Sequence, residues 1–226
     1  LRESIHDDAL DLYKKHLLDY IGKCDFKGLK IGLDCANGAT SVINKTVFEQ
    51  LGAKVKLIHS DTKYNIKINQ KCGSTHLKSL QTLVTKNHLN FGIAYDGDGD
   101  RCMLINEIGE EIDGDFILAI LAEYLKLKTI ATTVMVNQGL LNWTTKKGIN
   151  VEVTAVGDAN VKAAMDEKHI KLGGEQSGHI ILPNEPTGDG MLTSLMITKI
   201  LSEKSKTLGE LTSNITKFPQ VIVNLL

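Results

Sequence analysis

Hydrophobic residues change their spacing several times along this chain, and each change marks an element. From Glu3 to Ile21, the positions Ile5, Leu10, Leu12, Leu17, Leu18 and Ile21 recur among charges at roughly helical spacing, which predicts a helix. Leu29–Asp34 reads as a short buried strand. The small residues Asn37–Ser41 after it announce a second helix, N-capped by Thr40 or Ser41, running to Leu51 and stopping at Gly52. Ala53–Ile58 is the next strand and completes a β–α–β unit. After a polar stretch from His59 to Cys72, Leu77, Leu80, Leu83 and Val84 carry a further helix that Ser74 is placed to cap. Strands at Asn90–Tyr95 and Cys102–Ile105 then flank Asp96–Arg101.

Beyond a helix from Asp115 to Lys126 the pattern repeats. Thr132–Val136 is strand-like, Asn137–Leu140 opens a helix ending near Gly148, and Val151–Val156 is the following strand. A helix over Asn160–Lys168 and a short strand at Ile170–Leu172 come next. The fold class is therefore α/β: two tandem similar α/β domains, each a mixed sheet packed with helices, changing over near residues 107–114. Leu192–Leu201 is an apolar helix and Leu208–Ile215 a weaker amphipathic one. The last residues, Val221–Leu226, have strand propensity with no turn after them.

Composition narrows the function classes. With 226 residues, 42% of them hydrophobic, the chain can bury sizeable cores, which excludes general disorder. Its 26 basic and 27 acidic side chains leave a net charge of −1, so electrostatics offers no case for nucleic acid or an anionic membrane. No apolar run approaches a membrane span. Four cysteines without a C-x-x-C pair fit reduced thiols in a cytoplasmic protein.

The sharpest chemistry lies in Asp96-Gly97-Asp98-Gly99-Asp100-Arg101. Three alternating carboxylates separated by glycines make a tight loop that can converge oxygens on a hard dication, and their mutual repulsion calls for one. An EF-hand is excluded, because Arg101 stands where its sharp turn demands Gly and both flanks read as strands. A phosphatase with Asp96 as nucleophile stays open, although Asp100 stands where Thr or Val is expected. Arg101 beside a metal faces phosphate. Mg²⁺ fits better than Ca²⁺, and the chemistry indicated is phosphoryl transfer. A second constellation is Gly173-Gly174-Glu175-Gln176-Ser177-Gly178-His179. If extended, it points Glu175, Ser177 and His179 the same way, a carboxylate and a hydroxyl suited to sugar hydroxyls and a His suited to phosphate. A Gly-rich hairpin with incidental polar residues is the alternative.

Together these segments resemble the α-D-phosphohexomutase superfamily. The loop D-G-D-G-D-R and the segment G-E-Q-S-G-H match its two central signatures. L-D-C-A-N-G-A-T (Leu33–Thr40), C-G-S-T-H (Cys72–His76), I-D-G-D (Ile112–Asp115), V-G-D (Val156–Asp158) and T-G-D-G (Thr187–Gly190) agree with it. Gln176 favours the amino-sugar branch over the phosphomannomutase/phosphoglucomutase branch, which typically carries Met there.

The resemblance implies a Mg²⁺-dependent isomerase that converts glucosamine 6-phosphate to glucosamine 1-phosphate for cell-wall amino sugars, through a phosphoserine and a bisphosphorylated sugar. It implies Asp96, Asp98 and Asp100 as metal ligands and Arg101 as the catalytic cation. Glu175, Ser177, His179 and Asp158 become substrate ligands. Of the family's four domains only two are matched. Residues 1–108 correspond to the metal-binding second domain and 109–217 to the sugar-binding third. Residues 218–226 correspond to a linker and the start of a C-terminal domain. The phosphoserine segment and the C-terminal phosphate loop are not found, so the expected partners are a phosphorylated hexosamine and the flanking domains of the same enzyme. The chain alone is expected to be inactive, and a homodimer is allowed for the whole enzyme.

Two local departures from the family pattern stand out. Ala159 and Asn160 replace a cation and an aromatic after Asp158, unless Lys162 supplies the charge, and Asn65 stands where Gly is usual. His59, His88 and His169 read as surface or loop residues with no second metal ligand at useful spacing, and Trp143 reads as packing.

Overall fold

In the computed structural model, residues 8–63 and 67–221 are described. The predicted helix start at Glu3, the departure at Asn65 and the terminal strand beyond Val221 lie outside those residues. Helix α1 (Ala9–Ile21) leads into a sheet built from β1 (Lys30–Asp34), β2 (Lys54–Ile58), β3 (Phe91–Tyr95), β4 (Cys102–Ile105) and β5 (Glu111–Ile112). Its order is β2-β1-β3-β4-β5, the first three parallel and the last two antiparallel. Helix α2 (Asn44–Gln50) crosses from β1 to β2, and α3 (Lys78–Lys86) from β2 to β3. The fully buried β3 and near-fully buried β1 form its centre, as parallel strands covered on both faces must.

Helix α4 (Gly114–Tyr124) opens the second unit, followed by β6 (Thr129–Thr133), α5 (Gln138–Lys147), β7 (Asn150–Thr154) and α6 (Asp158–Lys168). The short hairpin β8 (Gly173–Gly174) and β9 (Ile180–Ile181) and helices α7 (Gly190–Lys204) and α8 (Leu208–Thr212) complete it. Its sheet, β7-β6-β8-β9, repeats the order β2-β1-β3-β4 with the same directions. The two tandem α/β units with mixed sheets are thus as the sequence predicts.

Several elements are displaced from their expected places. Thr40 and Ser41 do not cap α2 but lie in a 3₁₀ turn, Ala39–Val42, whose Ala39 N–H is committed to Gly97 O at 2.9 Å. Ser74 lies buried in a second 3₁₀ turn, Gly73–Thr75, and α3 starts after Leu77 without a side-chain cap. Strand β6 ends at Thr133, held by its register with β7, so the β-branched run continues into a turn and leaves Val134 exposed. The third strand of the second sheet is Gly173–Gly174 rather than Ile170–Leu172. Gly173 pairs with Ala131 beneath α6, where an added Cβ would lie 2.5 Å from Met165 Sδ and 2.8 Å from Val161 Cγ1, so any larger residue would have to displace those side chains. Strand β5 belongs to the first sheet, because Asn106 Oδ1 accepts the N–H groups of Ile108 and Glu110 and turns Ile112 back onto Leu104.

The two units share one apolar core. Helices α4 and α7 are apolar nearly all round and correspondingly buried. Helix α7 packs against α1, β3 and β4 of the first unit as well as α4 of its own. Tyr95 marks the join: its hydroxyl, wholly buried, lies 2.7 Å from Ser194 Oγ on α7 and donates to Asn44 Oδ1 at 3.3 Å. Trp143 packs into the core as expected, with Lys147 Nζ 5.7 Å from its ring centre. Tyr95→Phe leaves Ser194 and Asn44 short of a partner and should cost about 1–2 kcal/mol. Urea unfolding monitored by circular dichroism measures this, and an unchanged midpoint would show that the hydroxyl does not tie the units together.

Candidate functional site

The acidic loop connects β3 to β4, and the pairing of Tyr95 with Cys102 closes its base. Asp96 is its organiser: Oδ1 accepts the backbone N–H groups of Gly99 and Arg101, each at 3.2 Å. Gly99 takes a φ of +83°, whereas Gly97 is confined by Ile68 and Asn69. One carboxylate oxygen from each of Asp96, Asp98 and Asp100 then lies within 4.8 Å of the others. Burial first, and Asp100 second, push the Asp96 carboxyl above its ordinary range. Asp100 Oδ1 is buried without a hydrogen-bond partner. This oxygen-only donor set, closely spaced and under-compensated, fits a hard dication such as Mg²⁺. The Arg101 side chain is 43% exposed, with Nε 3.8 Å from Asp96 Oδ2 and 3.7 Å from Asp100 Oδ1. It balances the loop's charge loosely and leaves its fork available to an anion.

The glycine-rich segment docks directly onto this loop. Cys102 N–H donates to Gly178 O at 3.1 Å, and Arg101 and His179 form an antiparallel bridge. Gly178, at φ +92°, admits that approach, since a Cβ there would stand 2.2 Å from Cys102 O. His179 is 3% exposed and both its ring nitrogens are engaged. Gly188 N–H donates to Nε2 at 3.1 Å. Nδ1 therefore carries the proton of the neutral ring and donates it to Asp100 Oδ2 at 3.1 Å. The expected alternation of Glu175, Ser177 and His179 on one face does not occur, because residues 175–178 turn between β8 and β9. His179 orients a loop carboxylate, while Glu175 and Ser177 stay together on the other side of the turn.

Glu175, Gln176 and Ser177 line an open cavity of about 360 Å³ with Asp113, Met103 and Lys217. Ser177 Oγ donates to Glu175 Oε2 at 3.2 Å, and Gly157 N–H donates to Glu175 Oε1 at 2.9 Å, which fixes the carboxylate toward the cavity. Asp113, the N-cap of α4, meets Lys217 Nζ at 2.6 Å. Asp115, 3% exposed, accepts Asn137 N–H at 2.8 Å and Gln176 Nε2 at 3.3 Å. Burial raises its carboxyl to about 7, with Asp113 adding to the effect. Asp158 is exposed in the first turn of α6, next to Gly157. Lys162 pairs with Asp166 and lines a different cavity, so it does not supply the charge absent at Ala159. Lys217 is the cation that reaches the cavity. Sequence reading missed it, since it lies in a largely uncharged tail with no motif around it.

Comparison with known proteins accords with this geometry. Residues 11–109 match the family model for phosphoglucomutase/phosphomannomutase α/β/α domain II, and residues 113–218 match that for domain III. The phosphoglucosamine mutase of Caldicellulosiruptor saccharolyticus is 48% identical over 219 residues, 94% of this chain and 49% of that protein. That of Clostridium acetobutylicum is 45% identical over 230 residues, 99% and 51% respectively. The chain thus spans about half the length of the curated relatives it matches. A phosphoglucomutase/phosphomannomutase family protein from Burkholderia thailandensis superposes with TM-score 0.80 at 24% identity, covering 92% of this chain and 46% of that one. Aspergillus fumigatus N-acetylphosphoglucosamine mutase, solved with GlcNAc-6P and magnesium, gives 0.74 at 19% identity over 93% and 49%. At those identities the two structures show the shared fold.

Asp115 makes stability depend on pH. Its carboxyl titrates near 7 in the folded state against 3.8 ordinarily, so the folded chain binds the extra proton. That contribution is complete below pH 4 and is lost as pH rises through 7. Asp115→Asn removes the titration, so between pH 4 and 8 the wild type should lose about 2–4 kcal/mol relative to the variant. Urea midpoints across that range measure it, and parallel pH profiles would exclude Asp115.

Proposed function

We propose, because this chain belongs to the phosphoglucomutase/phosphomannomutase family, that it carries the metal-binding and sugar-binding domains of a phosphoglucosamine mutase. The reaction is isomerisation of glucosamine 6-phosphate to glucosamine 1-phosphate, in the cytoplasm, on a route to amino sugars of the cell wall. The observation that carries this reading is the direct link between the two signatures. One carboxylate of the acidic triad, Asp100, is held by His179 of the hairpin whose other face presents Glu175 and Ser177 to the cavity.

Each side chain has a role that its surroundings support. Asp96, Asp98 and Asp100 would hold Mg²⁺, which when bound offsets negative charge on transferring phosphoryl oxygens. Asp96 also folds the loop, through the two backbone N–H groups it accepts. Arg101 extends its guanidinium toward the phosphoryl group as the second positive charge. His179 fixes Asp100 by donating Nδ1–H, as outer ligands orient metal-bound groups. Glu175 accepts from one sugar hydroxyl and Ser177 bonds its neighbour. Gln176, held by Asp115, shapes the cavity wall. Lys217, steadied by Asp113, supplies the cation for a phosphate or polar substituent of the sugar. Asp158 contacts the substrate from the start of α6.

Turnover also needs a phosphoryl donor. No T-A-S-H-N-like segment occurs in the sequence, so the phosphoserine would come from a flanking domain, and these 226 residues bind without turning over. Three measurements test the proposed function. Asp98→Asn removes one formal charge from the triad and should weaken Mg²⁺ binding at least about tenfold, or 1.4 kcal/mol, by calorimetry. Unaltered affinity would exclude the loop as the metal site. In the protein carrying all its domains, isomerisation of glucosamine 6-phosphate should be measurable and should fall with Glu175→Ala. A stable phosphoryl group on Asp96, trapped with a phosphoryl donor, would replace the mutase reading with a phosphatase.

A further inference from the structure

A second group of metal-ligating side chains lies outside the acidic loop. Sequence reading set His59 aside as a loop residue without a ligating neighbour, and the fold corrects this. Asp34 is the last residue of β1 and pairs with Ile58 at the end of β2, so His59 emerges beside it. His59 Nδ1 stands 2.8 Å from Asp34 Oδ2. Cys72, arriving from the loop before α3, completes a set in which one ligand atom from each residue lies within 4.8 Å of the others. Three segments distant in sequence are thus brought together by the β1–β2 register and one returning loop.

We infer that Asp34, His59 and Cys72 form a binding site for a soft divalent cation of the zinc class, distinct from the acidic loop and independent of the mutase reading. The donor set is the first argument: one thiol, one imidazole and one carboxylate are the ligands such ions prefer, whereas the acidic loop offers only oxygen. Charge is the second. The Asp34 side chain is 0% exposed, and one carboxylate, one thiolate and a neutral imidazole would balance a dication where a buried carboxylate needs compensation. Spacing is the third. Ligands on one tetrahedral ion stand roughly 3.4–3.6 Å apart; the three ligand atoms already lie within 4.8 Å of one another, and the 2.8 Å contact between Asp34 and His59 would open to admit the ion.

The surroundings agree. Asp34 Oδ1 is already fixed by Ala36 N–H at 3.0 Å, which leaves Oδ2 for the cation. Cys72 Sγ has only long contacts, 3.9 Å to Lys67 O and 3.8 Å from Asn37 Nδ2, so no strong bond must break for it to ligate after losing its proton. The His59 side chain is 31% exposed and gives an entry path and room for a water as fourth ligand. Ala36, Asn37 and His59 all take positive φ (52°, 54° and 46°), locked by Asn37 N–H to His59 O at 2.6 Å. Non-glycine residues hold such angles where the surroundings impose them.

Cobalt(II) is the probe, because a thiolate ligand gives it an intense near-ultraviolet charge-transfer absorption that oxygen ligands do not. The chelator-treated, reduced 226-residue chain is titrated with CoCl₂, then with ZnCl₂. One equivalent should develop the band and zinc should abolish it. Cys72→Ser should remove the band, and His59→Ala should weaken zinc binding beyond the roughly 10–100-fold that loss of an outer partner costs. Cys24→Ser and Asp98→Asn should leave it unchanged. No band in wild-type protein with native circular dichroism, or a band that survives Cys72→Ser, overturns the proposal. A band lost in Asp98→Asn would reassign the ion to the acidic loop.

Discussion

The site depends on one contact, the docking of the β8–β9 turn against the strand that leaves the acidic loop. Cys102 N–H meets Gly178 O, and the next residue, His179, reaches Asp100. Backbone approach this close requires a residue without a Cβ at 178, and it draws His179 into a place where water cannot compete for either ring nitrogen. The histidine's tautomer is then settled by geometry alone. Gly188 must donate, so Nε2 must accept, and the proton goes to the side facing Asp100. A neutral ring orients that carboxylate without adding positive charge that would compete with a cation.

Behind that docking the two units share one apolar core. Helix α7 belongs to the second unit by sequence but packs on β3 and β4 of the first, with the Tyr95–Ser194 bond buried in the join. Gly190 N–H, at the start of α7, also donates to Gly99 O within the acidic loop. One helix therefore fixes both the domain arrangement and the far side of the acidic loop. The cavity lies beside this join and borrows walls from both units: Met103 from β4, Asp113 from the N-cap of α4, and Lys217 from the returning tail.

How much of this could be read beforehand varied with the distance over which each feature is determined. The acidic loop was legible because its alternating Asp and Gly carry their own geometry, and the β–α–β units because hydrophobic runs and stop signals are local. The strand at Gly173–Gly174 was not, since its pairing is dictated by what α6 leaves room for, and β-propensity pointed to Ile170–Leu172 instead. The placement of His179 relative to Glu175 and Ser177 does not follow from an extended segment. Residues 175–178 turn, and a turn breaks the period of two on which the reading rested. Lys217 and the Asp34–His59 pair were invisible for the same reason as each other: their partners lie 104 and 25 residues away. Only the tertiary fold closes those distances.

The repeat explains why the two signatures meet at all. In β2-β1-β3-β4 and β7-β6-β8-β9 the third strand passes to its antiparallel neighbour through a hairpin. The acidic loop is that hairpin tip in the first unit, and the Glu175–Gly178 turn is the same tip in the second. Both tips emerge from the carboxyl end of a central strand, where parallel sheets leave backbone groups and side chains free for ligands. The acidic loop and the Glu175–Gly178 turn are thus one structural position used twice, with different side chains. The Arg101–His179 bridge is the point at which the two tips touch. A change at either tip is therefore felt at the other through backbone rather than through solvent. On the proposed function, a cation at the first tip and a sugar at the second would be linked through the Asp100–His179 contact rather than merely adjacent.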